Sequence, residues 1–172
     1  MKRLVPALLV AGLAVGPAAS QTSALKGHNS NAPVDVAADR IEVQDRADRA
    51  IFSGNVVVRQ AELTLTAARL TVAYSSGGGV ELRRIDATGG VTVRSPSETA
   101  RGNVGIYDLD RRIITLIGDV SLVQRDAKVN GGRLTIDLDS GRAVMDGGGP
   151  PGTTRQGGRV TGTFTVPQKK GG

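Results

Sequence analysis

Residues 40–58 read Arg40-Ile41-Glu42-Val43-Gln44-Asp45-Arg46-Ala47-Asp48-Arg49-Ala50-Ile51-Phe52-Ser53-Gly54-Asn55-Val56-Val57-Val58. Ile41 and Val43 alternate with Glu42 and Gln44, the period of a half-buried strand. Gln44 to Asp48 is a polar run suited to a turn. Phe52, Gly54, Val56 and Val58 then share one face of a second strand. The stretch therefore predicts strand, turn, strand, with a glycine set inside the second strand. Such a glycine marks a bulge, a bend or a close backbone approach.

The same unit recurs along the chain. Gly54 lies 14 residues after Arg40, as Gly118 does after Val104 and Gly147 after Arg133. A further copy runs from Arg69 to Gly89-Gly90, six residues longer, and Ser75-Ser76-Gly77-Gly78-Gly79 supplies a turn that absorbs the surplus. The other turns are Asp108-Leu109-Asp110-Arg111 and Asp137-Leu138-Asp139-Ser140-Gly141, and a partial copy begins at Gly158-Arg159-Val160. Aligning the units puts Val43, Tyr107 and Ile136 at one position and Phe52, Leu116 and Met145 at another. The expectation is an all-β chain of repeated strand-turn-strand units that stack into a trough-like or folded-over sheet with apolar stripes inside. The pattern leaves open whether the stripes form a sealed core or keep part of a groove open for a ligand.

Outside this region the chain changes character. Lys2 and Arg3 precede an apolar run from Leu4 to Val15, and Ala18-Ala19-Ser20 offers small residues for cleavage. That is the layout of a secretory signal peptide over 1–20. The run is short for a bilayer span, although an uncleaved inner-membrane anchor is the alternative. Residues 21–33 are expected to be a loose lead-in, 34–166 the β domain, and 167–172 a loose tail, with Val160, Phe164 and Val166 forming a last strand. There is no Cys, so an exported chain would have to rely on packing rather than disulfides. The formal charge of +6 falls to +4 once Lys2 and Arg3 are removed, which suits an anionic partner or simply solubility. Nucleic acid is disfavoured by the export signal and by only two Tyr, two Phe and no Trp.

Catalytic patterns are scarce. Gly147-Gly148-Gly149-Pro150-Pro151-Gly152 matches a dinucleotide-loop spacing, but two prolines and no following helix argue against it. Asp108, Asp110, Asp137 and Asp139 form two Asp-x-Asp pairs, which calcium would suit, yet both occupy turn slots where Asp bonds its own backbone. His28 is the single histidine, so no histidine metal cluster or Ser-His-Asp site is expected. The reading is a non-enzyme without metal or cofactor. Arg40, Arg69 and Arg133 recur at unit starts. They fit a row of cations for sugar phosphates, or charges that discourage strand-to-strand aggregation.

Ala38-Asp39-Arg40-Ile41-Glu42-Val43, Ala50-Ile51-Phe52-Ser53-Gly54-Asn55-Val56, Gly89-Gly90-Val91 and Leu116-Ile117-Gly118-Asp119-Val120 together resemble the OstA-like family over residues 34–146. The resemblance implies a twisted, V-shaped β-jellyroll of two antiparallel sheets. It implies a periplasmic lipopolysaccharide carrier that shields lipid A acyl chains in the V. It also implies head-to-tail self-association and edge-strand pairing with LptC and LptD. By parity it places lipid contacts at Ile41, Val43, Phe52, Val56, Val91, Tyr107, Leu116, Val120, Ile136 and Met145. The rivals are an LptC-like membrane-anchored component and a structural β-repeat that binds no lipid.

Overall fold

The computed structural model describes residues 28–125, 127–148 and 158–165. The expected signal peptide, most of the dinucleotide-like loop, Val166 and the C-terminal tail lie outside the described residues. Ten strands follow in order: β1 Asp35–Ala37, β2 Arg40–Gln44, β3 Arg49–Gln60, β4 Leu63–Ser75, β5 Glu81–Arg94, β6 Glu98–Asp108, β7 Ile113–Gln124, β8 Ala127–Asp137, β9 Arg142–Asp146 and β10 Thr161–Phe164. Asp45–Ala47 is a single 3-10 turn. All pairings are antiparallel, and hydrogen bonding joins the strands into one sheet.

The register of every long pair shifts near its middle, at Ser53/Val56, Thr66/Arg69, Thr88/Val91, Arg101/Val104 and Ile117/Val120. These shifts form a spine across the sheet. β3, β5 and β7 cross it on two successive left-handed residues: Gly54 and Asn55 (φ 79 and 46), Gly89 and Gly90 (φ 83 and 82), and Gly118 and Asp119 (φ 81 and 46). Glycine meets that backbone demand without Cβ strain. The left-handed Asn55 and Asp119 are each held by a side chain across the spine, Asn55 Nδ2 to Asp39 Oδ2 at 2.9 Å and Asn103 Nδ2 to Asp119 Oδ2 at 3.2 Å. The expected bend glycines Gly54, Gly89 and Gly118 are all on the spine. Gly147 differs: β9 ends at Asp146, and Gly147 packs its backbone against Gly158 instead of carrying the strand onward.

The spine divides the sheet into two leaves that share their strands. Leaf I holds β2, β9 and the segments between them on one side of the spine; leaf II holds β1, β10 and the segments on the other. The two-sheet expectation thus takes the form of one sheet folded over. Leaf I carries two cross-strand rows on its inner face, Val43-Ala50-Val72-Ile85-Tyr107-Ile114-Ile136-Ala143 and Ile41-Phe52-Leu70-Ala87-Gly105-Leu116-Leu134-Met145. Leaf II faces them with Val36-Val58-Leu65-Val93-Ala100-Leu122-Val129. The rows merge into one core. Burying such apolar surface contributes about 25 cal/mol per Å². The aligned positions of the sequence repeat fall in one row each, as the spacing predicts.

Candidate functional site

The inner face is not uniform along its length. Leu70, Ile85, Ile114, Leu116, Leu134 and Ile136 in the middle are fully buried. Toward the N-terminal end the leaves part and leave an open apolar cavity of about 650 Å³. Val34 and Val36 line it from the β1 side, and Val43, Ala50, Phe52, Val72 and Tyr74 from leaf I. Val80, Leu82, Asp45, Asp48 and Ser76 complete its lining. The volume is within the range of small-molecule sites. At the C-terminal end a smaller cleft of about 240 Å³ lies among Leu122, Val129, Leu134, Ala143, Met145 and Phe164. Glu98 and Gln124 bring polar atoms to it and are hydrogen-bonded to each other.

The ten residues expected to contact lipid therefore divide. Val56, Val91, Tyr107, Leu116, Val120 and Ile136 are packed into the core. Phe52 and Met145 are half-buried at opposite ends, each lining an open space. Ile41 and Val43 pair with Phe52 and Ala50, so they share the inner face, yet each is 57% exposed because β2 is the edge strand of leaf I.

Arg40, Arg69 and Arg133 lie in one cross-strand row, but each precedes an inner-face residue and so points to the outer face. Strand alternation puts them on the side opposite the cavity. Arg133 stands opposite Asp146, with its Nε buried and unbonded among the described residues.

The Asp pairs act in turns. Asp108 Oδ1 accepts the Arg111 amide at 2.9 Å, and Asp137 Oδ1 accepts the amides of Asp139 and Ser140 at 3.0 and 2.9 Å. Asp110 and Asp139 pair with Arg83 and Arg112 at 2.7 and 2.9 Å. The Ser140 amide, first among several causes, holds the Asp137 carboxyl below its ordinary pKa. No group of metal-ligating side chains occurs among the described residues.

One polar cluster was missed in the sequence. Gln60 is 3% exposed on the inner face of leaf II. Its Oε1 accepts the Tyr107 hydroxyl from leaf I at 3.1 Å and contacts His28 Nε2 at 3.2 Å. Its Nε2 donates to the carbonyls of Ser30 and Ala32 at 2.9 and 3.0 Å. Arg112 reaches Asn31 Oδ1 at 3.1 Å. Residues 28–32, the end of the expected 21–33 lead-in, are thus fastened across the free edges of the leaves; residues 21–27 lie outside the described residues. Burial is the first cause that pushes the Tyr107 hydroxyl pKa up. The signal was available: Gln60 continues the parity of Val56 and Val58.

A family described as LptA/(LptD N-terminal domain) LPS transport protein matches residues 35–142. Protein R00383 of Rhizobium meliloti (strain 1021) is 32% identical over 159 residues, covering 84% of this chain and 86% of its own. The lipopolysaccharide export system protein LptA of Haemophilus influenzae (strain ATCC 51907 / DSM 11121 / KW20 / Rd) is 25% identical over 138 residues, covering 77% of this chain and 80% of its own. The crystal structure of LptH, the LptA-homologous periplasmic component of the lipopolysaccharide transport device of Pseudomonas aeruginosa, has the same fold. It aligns with a TM-score of 0.70 at 18% identity, over 81% of this chain and 99% of that one.

Proposed function

The chain belongs to the LptA/(LptD N-terminal domain) family of LPS transport proteins, and from that premise we propose that it is a periplasmic carrier that shields lipid A acyl chains between its two leaves. The observation that carries this reading is the open apolar cavity at the N-terminal end, continuous with the inner rows of leaf I. Each buried CH₂ of an acyl chain contributes on the order of 0.8 kcal/mol, so a few partly sheltered chains would hold a lipid without covalent chemistry. Val43 and Phe52 meet the lipid first. Deeper passage past Leu116 and Ile136 requires the leaves to part, because those side chains leave no room.

The edges supply the docking. β1 and β2 at one end and β9 and β10 at the other each pair on one side only among the described strands. An unpaired strand edge is a template for β-augmentation. LptC, LptD and a second copy of this chain are the partners that fit such edges.

Photo-crosslinking in cells tests the reading, with a probe at Val43 or Phe52 and a control at outward-facing Ser53. Lipopolysaccharide adducts at the inner positions alone are expected. A folded protein that gives no adduct at either position would overturn the carrier and leave a structural β-repeat.

A further inference from the structure

The outer faces of the two leaves differ in charge. All four ion pairs found among the described residues, Arg83–Asp110, Arg84–Asp86, Arg111–Asp108 and Arg112–Asp139, belong to leaf I or its turns. Leaf II has a different outer face. One of its cross-strand rows runs Asp35-Arg59-Thr64-Arg94-Thr99-Val123-Lys128-Thr163. The adjacent row includes Thr66, Thr92, Arg101 and Ser121. Asp35, on the edge strand β1 opposite Arg59, is the one acid of the two rows among the described residues, and Arg59, Arg94, Arg101 and Lys128 are all exposed and have no carboxylate at ion-pair distance among the described residues.

We propose that the outer face of leaf II is a docking surface for an extended polyanionic glycan. The cations are spread rather than clustered. Arg94 pairs with Thr99, which puts Arg101 on its diagonal at roughly 7–8 Å, and Arg59 lies two strands away at roughly 10 Å. Arginine binds carboxylate and phosphate in bidentate fashion. The threonine and serine hydroxyls between the cations are donors and acceptors for sugar hydroxyls. The two rows contain no aromatic and no side chain larger than valine among their apolar members, so nothing there would insert into lipid, which favours a glycan over a bilayer. The face is also on the opposite side of leaf II from the inner rows, so acyl chains held between the leaves do not reach it.

The test is retention of the full chain on alginate-coupled resin, a glycan whose only charges are carboxylates, with elution by a salt gradient. Wild type is retained, and R59Q/R94Q/R101Q weakens binding by at least about tenfold. The R46Q/R69Q/R142Q variant, with the same change in net charge on leaf I, stays within about twofold of wild type. Circular dichroism checks that both triples are folded, and the single substitution R94E is expected to give the same ranking with less disturbance. Equal loss in both triples would reduce the effect to net charge and overturn the face. Stronger capture by phosphatidylglycerol vesicles than by alginate, through the same three arginines, would overturn the glycan assignment. V43E, placed in the lipid cavity, keeps alginate retention; its loss would move the polyanion to the cavity mouth and sink the proposal while leaving the carrier reading to its own crosslinking test.

Discussion

A single cross-strand row, Val43-Ala50-Val72-Ile85-Tyr107-Ile114-Ile136-Ala143, passes from open cavity to sealed core within a few strands. Val43 is 57% exposed and Ile114 is 1% exposed, although both are apolar and face the same way. The difference lies in what covers them. Ile114 has a complete leaf II over it, whereas Val43 sits on an edge strand. The spine changes in parallel: β3, β5 and β7 cross it on left-handed pairs, but at both ends the edge strand is split, into β1 and β2 or β9 and β10. One repeat therefore gives a sealed centre and two open-edged ends.

The largest test of that contrast is truncation of one side chain in each region. Leu116→Ala in the centre is expected to cost about 2–5 kcal/mol, the range for a fully buried leucine. Val43→Ala is expected to change stability by about 0.5 kcal/mol or less, as for an exposed position. Urea unfolding of both variants checks this. Similar losses would mean that the end is packed as tightly as the middle, leaving no cavity for a lipid.

The spine allows a second comparison of centre against periphery. Gly118 has φ 81, and a Cβ there would meet Asn103 Nδ2 at 2.8 Å. Gly118→Ala is expected to cost roughly 1–3 kcal/mol through backbone strain and the lost fit. Gly78, in the turn beside the cavity, has nothing within 4 Å of a built Cβ, and Gly78→Ala is expected to be neutral within about 0.5 kcal/mol. A neutral Gly118→Ala would show that the fold over the spine does not depend on the left-handed pair.

The sequence made much of the centre legible because register repeats. Equal spacing to Gly54, Gly118 and Gly147 puts Val43, Tyr107 and Ile136 in one row and Phe52, Leu116 and Met145 in another. The ends were less legible. Nothing in the motif around Gly147 shows that β9 stops there, since that outcome depends on Gly158 approaching from a distant part of the chain. Nor can alternation distinguish Val43 from Ile136, because exposure depends on the opposing leaf. The outward placement of Arg40, Arg69 and Arg133 is readable from parity, since each precedes an inner-face residue.

Where the leaves close, the Tyr107–Gln60 bond joins their free edges, and it gives a smaller test. Tyr107→Phe is expected to cost about 1 kcal/mol, because Gln60 keeps its bonds to Ser30 and Ala32. It also removes an alkaline sensitivity. The Tyr107 hydroxyl pKa is raised in the folded state, so its contribution is complete below the ordinary tyrosine value and is lost as pH rises through the folded value. Wild type should therefore lose more stability than Tyr107→Phe in that alkaline window. If lipid capture also quickens in the variant, closure of the leaves limits entry; unchanged capture would confine the lipid to the end cavity.

The smallest expected effect is at the turn between β8 and β9, at the C-terminal end. The Asp137 carboxylate accepts two backbone amides there and its pKa is lowered. A lowered pKa means that the contribution is present above the unfolded value and is lost as pH falls through the folded one. Asp137→Asn should therefore be less stable than wild type near neutrality, and the gap should close between about pH 5 and pH 2, the range in which carboxylates titrate. Because Asp137 lies in a turn at the end of β8 and on the outer face, the change should be a slight shift in urea midpoint and should leave the packing around Leu116 and Ile136 untouched. A gap that persists to the lowest pH would assign the turn's stability to its shape rather than to carboxylate charge. A gap that widens instead would reverse the sign and show that the folded state raises the Asp137 pKa.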